Sequence, residues 1–124
     1  MKILIVDDEE AILKMYSIGL AEFEIISASS GEEALEKARK EQPDLIYLDI
    51  IMPKINGLDV LKRLKSDKET AHIPVILLTN LPEEASAAKA KSLGANDYFV
   101  KVDFEPDKLA EKTREIINEI SGKN

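Results

Sequence analysis

Along the chain, short unbroken apolar runs alternate with longer stretches in which apolar residues recur every three or four positions. Ile3-Leu4-Ile5-Val6, Leu45-Ile46-Tyr47-Leu48 and Val75-Ile76-Leu77-Leu78 are too short for helices and lack polar alternation, so they predict strands buried on both faces. Glu24-Ile25-Ile26-Ser27-Ala28 and Asp97-Tyr98-Phe99-Val100-Lys101 predict weaker strands. Between the strands lie helical stripes: Ile12, Met15, Tyr16 and Gly19 in the first helix, Leu35 and Ala38 in the second, Leu58, Leu61 and Leu64 in the third. The last helix has the cleanest stripe, Leu109, Thr113, Ile116, Ile117 and Ile120. The fourth, about Glu83 to Leu93, has only Ala85 and Ala88 to bury, with Leu81 and Leu93 at its edges. Alanines remove little area from water, so this helix is expected to be the most easily shifted.

The punctuation agrees. Ser30 and Glu33 have capping-box spacing before the second helix, Gly122 stands where the last helix should stop, and Pro43 and Pro74 each precede a strand. Strict alternation of five strands and five helices predicts an α/β fold with a parallel sheet covered on both faces, in one domain over residues 1–124. No repeat, low-complexity tract or linker interrupts it.

Composition narrows the chemistry. With 17 Lys+Arg against 24 Asp+Glu the net charge is −7, and an acidic surface argues against direct contact with nucleic acid. The 44% hydrophobic content can fill a core without staples. There is no Cys, which removes thiol chemistry and cysteine metal sites, and His72, the one histidine, is expected in an exposed loop. Met15 and Met52 are expected in the core. The first apolar run stops after four residues at Asp7, short of the roughly 7–15 of a signal peptide. No stretch nears the roughly 20 apolar residues of a membrane span, so a soluble, cytoplasmic protein is expected.

Ligands of open parallel sheets bind beyond the carboxyl ends of the strands. The residues there are Asp7-Asp8 after the first strand, Asp49 after the third, Thr79 after the fourth and Lys101 after the fifth, while the second ends in Ala28-Ser29. Alone, Asp7-Asp8-Glu9-Glu10 would read as acids complementing a helix dipole, Thr79 as a strand former and Lys101 as an edge charge. Together they place three carboxylates, a hydroxyl and an ammonium on one edge. Three adjacent carboxylates repel one another, and a hard divalent cation such as Mg²⁺ relieves that repulsion. Carboxylate, Mg²⁺, lysine and hydroxyl form a workable set for phosphoryl transfer onto an aspartate.

This set, with Met52-Pro53 and Gly57 after Asp49 and Tyr98 three residues before Lys101, resembles the receiver domain of two-component response regulators over essentially the whole chain. The resemblance implies a flavodoxin-like doubly wound sheet in strand order 2-1-3-4-5. It also implies that Asp49 accepts a phosphoryl group from the phosphohistidine of a sensor histidine kinase or phosphotransfer protein. Asp8, Asp49 and the main-chain carbonyl of Ile51 would bind Mg²⁺, with Asp7 holding a water of that ion. Lys101 would pair with a phosphoryl oxygen, and the N–H groups of Ile51 and Asn80 would add contacts. Thr79 and Tyr98 would be the switch pair that repacks the face of helix four, strand five and helix five toward a downstream effector. Such a module acts on its own aspartate and is not an enzyme toward external substrates.

Some features depart from the family. Lys101 is followed by Val102 where Lys-Pro is usual, which leaves the cis or trans state of that peptide open, and Asp103-Phe104-Glu105-Pro106 is one residue longer than the common loop. Asn80 replaces the usual Ala or Ser. Ile51 and Leu81 offer nothing to orient an attacking water, which implies a long-lived phosphoryl state. Leu13, Ile18 and Leu20 add apolar surface to the first helix, open to burial under loops or to docking of a kinase's helical domain. Because Met1 opens on a strand and Ser121-Gly122-Lys123-Asn124 follows the last helix, a stand-alone receiver is expected, with a homodimer left open. The alternatives are a degenerate receiver, a small aspartyl-phosphate phosphatase or phosphotransferase, which would want Asp-x-Asp where this chain has Asp49-Ile50-Ile51, and a flavin-binding protein, whose phosphate Asp7 and Asp8 would repel.

Overall fold

In a computed structural model, which describes residues 1–122, the alternation read from the sequence holds throughout. The elements are β1 (Lys2–Val6), α1 (Glu10–Gly19), β2 (Glu24–Ala28), α2 (Gly31–Glu41), β3 (Leu45–Leu48), α3 (Gly57–Ser66), β4 (Val75–Thr79), α4 (Glu83–Ser92), β5 (Asp97–Val100) and α5 (Pro106–Ser121). A 3₁₀ turn, Lys101–Asp103, separates β5 from α5. Lys123 and Asn124, part of the expected tail, lie outside the described residues.

All strand pairs are parallel, in the order β2-β1-β3-β4-β5. Every residue of β3 and β4 is buried, as a strand sandwiched between two helical layers must be. Alternate residues feed two cores. Leu4, Val6, Ile46, Leu48, Val75 and Leu77 pack with α2, α3 and Ala90 of α4. Ile3, Ile5, Leu45, Tyr47, Ile76, Leu78 and Phe99 pack with α1 and α5 on the opposite face. Strand order reverses where β1 takes β2 on one side and β3 on the other, which opens the crevice at the carboxyl ends of β1 and β3.

Several helix faces differ from the expected stripes. On α1 the inward set is Leu13, Tyr16 and Leu20, spaced to stack three large side chains on the sheet; Ile12 and Gly19 sit at the margins, and Met15 is exposed on the outer face beside Ile18 rather than in the core. On α4 the predicted phase is wrong: Ala85 and Ala88 are exposed, and Ser86 and Ala90 are buried. An alanine-rich helix has almost no apolar asymmetry to fix its rotation, and a hydrogen bond from Ser86 sets it instead. On α5 Leu109 and Thr113 are buried with Ala110, Ile116 and Ile117 are half-buried, and Ile120 is exposed. Met52 is buried and His72 exposed, both as expected.

The caps hold with adjustments. Ser30 Oγ accepts from the Glu33 N–H at 3.1 Å, while Glu33 Oε1 accepts from the N–H of Ser29 at 2.7 Å, one residue earlier than a capping box has it. Gly122 ends α5 in a right-handed conformation, its N–H donating to Asn118 at 2.7 Å. β5 ends one residue early because Lys101 turns into the 3₁₀ segment. No peptide bond among the described residues is cis, so Lys101-Val102 is trans.

Candidate functional site

Strand ends bring four of the expected side chains together. Hydrogen bonding continues one residue past β1 and β3: the Asp7 N–H donates to the Ala28 carbonyl at 3.1 Å and the Asp49 N–H to the Val6 carbonyl at 3.0 Å. This extension holds both aspartates on the edge of the sheet, with Asp7 2% and Asp49 5% exposed. Asp8 follows on the open side and is exposed. Lys101 reaches in from the 3₁₀ turn, its side chain nearly buried, and its Nζ donates to Asp49 Oδ2 at 2.9 Å and, more closely, to Asp7 Oδ2.

The other oxygen of each buried carboxylate also has a partner. Asp49 Oδ1 accepts from the Ile50 N–H at 2.7 Å and from the Ile51 N–H at 3.4 Å, and Asp7 Oδ1 accepts from the Glu9 N–H at 2.9 Å. Burial pushes the Asp7 carboxyl above its ordinary value, against the opposing pull of Lys101 and the Glu9 N–H. Burial acts to lower Lys101, but its hydrogen bonds to Asp7 and Asp49 and their charges outweigh that and hold the ammonium above the usual lysine value.

Asp7, Asp8 and Asp49 each present an oxygen, all within 4.8 Å of one another. Three hard oxygen donors, two of them buried and one facing solvent, suit an ion such as Mg²⁺ that keeps part of its hydration shell. A cleft of about 250 Å³ opens over them, lined by Asp8, Glu9, Asp49, Ile51, Asn80 and Lys101. Ile51 is 58% exposed and Asn80 is exposed at its rim.

Thr79 and Tyr98 stand apart from that cleft. Thr79 is fully buried, and its Oγ1 accepts from the Leu81 N–H at 3.4 Å. The Leu81 carbonyl accepts from the Tyr98 hydroxyl at 3.0 Å, which leaves the Tyr98 oxygen to accept from Ser86 Oγ at 2.7 Å. Thr79, Leu81, Tyr98 and Ser86 thus form a chain of hydrogen bonds from the end of β4 to the first turn of α4.

Three contributors escape the strand-end reading. Glu9 lines the cleft although it follows two acids already assigned. Ser86 closes the Tyr98 chain, and only the rotation of α4 reveals it. Gly57 presses on the end of β3: a Cβ there would stand 1.9 Å from the Asp49 carbonyl oxygen, so any side chain would push Asp49 out of place. Its presence after Met52-Pro53 was the available signal.

Residues 3–114 match the family described as response regulator receiver domain. The chain is 41% identical over 118 residues to the alkaline phosphatase synthesis transcriptional regulatory protein PhoP of Bacillus subtilis, covering 94% of this chain and 48% of that one. It spans about half the length of the curated relatives it matches. Among solved structures, chemotaxis protein CheY4 of Vibrio cholerae is 31% identical with a TM-score of 0.84, over 92% of this chain and 96% of that one. A CheY-like receiver domain protein from Methanospirillum hungatei is 27% identical with a TM-score of 0.88, over 99% and 98%. The chain belongs to the response regulator receiver domain family, has its CheY-like flavodoxin fold, and carries an acidic cluster able to bind Mg²⁺. Members of this family are signalling modules that bind Mg²⁺ in that acidic pocket and interact with histidine kinases or phosphotransfer proteins and with effectors. Among the described residues no helix is long and apolar enough to cross a membrane.

Proposed function

From that membership we propose that residues 1–124 form one receiver domain in which Asp49 accepts the phosphoryl group. The observation that carries this reading is the pairing of a nearly buried Asp49 with Lys101 at the floor of a cleft whose other wall is the open carboxylate of Asp8. An Asp49 carboxylate oxygen forms the new bond to phosphorus as the bond to the donor histidine nitrogen breaks, and the imidazole leaves with that electron pair. Lys101, already aimed at Asp49 Oδ2, moves onto a phosphoryl oxygen, and the N–H groups of Ile51 and Asn80 supply further donors. Asp7, Asp8, Asp49 and the main-chain carbonyl of Ile51 would hold Mg²⁺. When bound, the ion neutralises charge gathered on the phosphoryl oxygens.

Thr79 acts as the relay: turning its hydroxyl toward the phosphoryl group releases the Leu81 N–H and disturbs the chain through Tyr98 and Ser86 to α4. α4, β5 and α5 then present a changed face to an effector or to a second receiver. The domain works on its own Asp49 rather than on external substrates, in the cytoplasm, with a histidine kinase or phosphotransfer protein as donor.

The test is incubation with Mg²⁺ and a small acyl phosphate, read by phosphate-retarding electrophoresis. A retarded band is expected for wild type and none for Asp49→Ala; no shift, or an equal shift in both, removes Asp49 from its role. Mg²⁺ titration is expected to show saturable binding that weakens sharply in Asp8→Ala.

A further inference from the structure

We propose that Tyr16 is a positioning residue for Lys101, acting through the carbonyl of Phe104. The inference rests on the reading of Lys101 as the phosphoryl-binding cation. Lys101 opens the 3₁₀ turn, and the outer side of that turn has little to hold it: Val102 is 78% exposed, Asp103 is exposed, and no side chain caps the start. Its far end is fixed instead. The Phe104 N–H closes the turn by donating to the Lys101 carbonyl at 2.9 Å. The Phe104 ring stacks on Phe99 at 4.3 Å with 17° between planes, and its carbonyl accepts from the Tyr16 hydroxyl at 3.0 Å.

Tyr16 is placed to act as a clamp. It is almost fully buried in the same core as Leu13, Leu20 and Phe99, so packing rather than solvent sets where its hydroxyl points. One turn later on α1, Gly19 lies so close to α5 that a Cβ would stand 2.4 Å from the Pro106 Cβ. One face of α1 therefore holds the chain at Phe104 and again at Pro106, immediately after the turn that carries Lys101. A phenylalanine or leucine at position 16 would supply similar packing, so the hydroxyl is there for its hydrogen bond. Without it the Phe104 carbonyl loses its partner and the turn its tether to α1. The Lys101 stem would then leave from a looser base, and phosphoryl transfer depends on placing that ammonium correctly.

Tyr16→Phe in the full chain keeps the ring and deletes the hydroxyl. The initial rate of phosphoryl uptake from a small acyl phosphate at saturating Mg²⁺ is expected to fall roughly tenfold. The same substitution on a Lys101→Ala background is expected to bring no further loss, because the residue it positions is gone. A second readout needs no phosphoryl donor: the ¹H–¹⁵N signal of the Lys101 ammonium, assigned by its absence in Lys101→Ala, is expected to be sharp in wild type and broadened in Tyr16→Phe. Equal loss of rate in both backgrounds, or an unchanged Lys101 signal, overturns the proposal. A wild type that takes up no phosphoryl group defeats the functional reading instead, and the ammonium signal still decides whether Tyr16 holds Lys101.

Discussion

Helices α3 and α4 have the same length, ten residues, but the sheet holds them very differently. α3 buries Gly57, Val60, Leu61 and Leu64, and Asn56 caps its start by accepting from the Asp59 N–H at 3.0 Å. α4 buries Ser86 and Ala90, and Pro82 gives its start no side-chain cap. Full burial of a valine or leucine contributes about 1.5–3 kcal/mol, against about 0.8 kcal/mol for one methylene-sized group. The helix touching the end of β3 is thus a stiff wall, and the helix tied to Thr79 and Tyr98 is a compliant one. Under the proposed role of Asp49, a rearrangement there would find its easiest outlet toward α4, as a readout element requires.

The contrast can be broken from the firm side first. Leu61→Ala is expected to cost about 3 kcal/mol of global stability, since it leaves a cavity in the core between α3 and the sheet. Denaturant unfolding measures it, and a loss below about 1 kcal/mol would mean that α3 is not the anchor described. Gly57→Ala comes next, at about 2 kcal/mol from overpacking against the Asp49 carbonyl. It should slow phosphoryl uptake as well; normal uptake with lowered stability would show that Asp49 tolerates the push.

On the soft side Ser86→Ala is expected to cost only about 1 kcal/mol, the worth of one hydrogen bond. Hydrogen exchange should show that loss locally, with faster exchange in α4 and unchanged protection in α3. A uniform change across both helices would erase the distinction between them. The smallest effect belongs to pH. The Glu33 carboxyl is held below its ordinary value by the Ser29 N–H and then by Lys37. Its stabilisation of α2 is therefore complete above the ordinary carboxylate range and lost as pH falls through the depressed value in the fold. Water screens this partly exposed group, so the unfolding midpoints of wild type and Glu33→Gln should differ slightly at neutral pH and converge in acid. Parallel curves would show that the carboxylate contributes nothing.

The layout of the sheet and the gathering of four strand-end side chains at one edge were legible because both follow from strong local signals. Apolar runs mark the buried strands, and parallel pairing sends Asp7, Asp8, Asp49 and Lys101 to one edge whatever the details of packing. Rotation was harder to read. The α4 sequence Ala85-Ser86-Ala87-Ala88 looks alike on every side, and a hydrogen bond with Tyr98, twelve residues away, decides which side turns inward. On α1 the sequence holds more apolar residues than one stripe needs, so Met15 could be taken for core until Leu13 and Leu20 proved to fill the space. The 3₁₀ turn at Lys101 was hidden for a similar reason: Tyr16, far away in sequence, helps to hold it.

The distribution of phenols also gives the molecule an optical use. With no tryptophan and three tyrosines, its ultraviolet emission is dominated by phenols. Tyr16 and Tyr47 are sealed in the core, where Tyr16 bonds to Phe104 and Tyr47 lies 2.6 Å from Thr113. Tyr98 is the half-exposed one, joined to the compliant helix. Quenching of tyrosine fluorescence by a small solute therefore reports chiefly on Tyr98, giving a label-free gauge of whether that ring faces inward or outward.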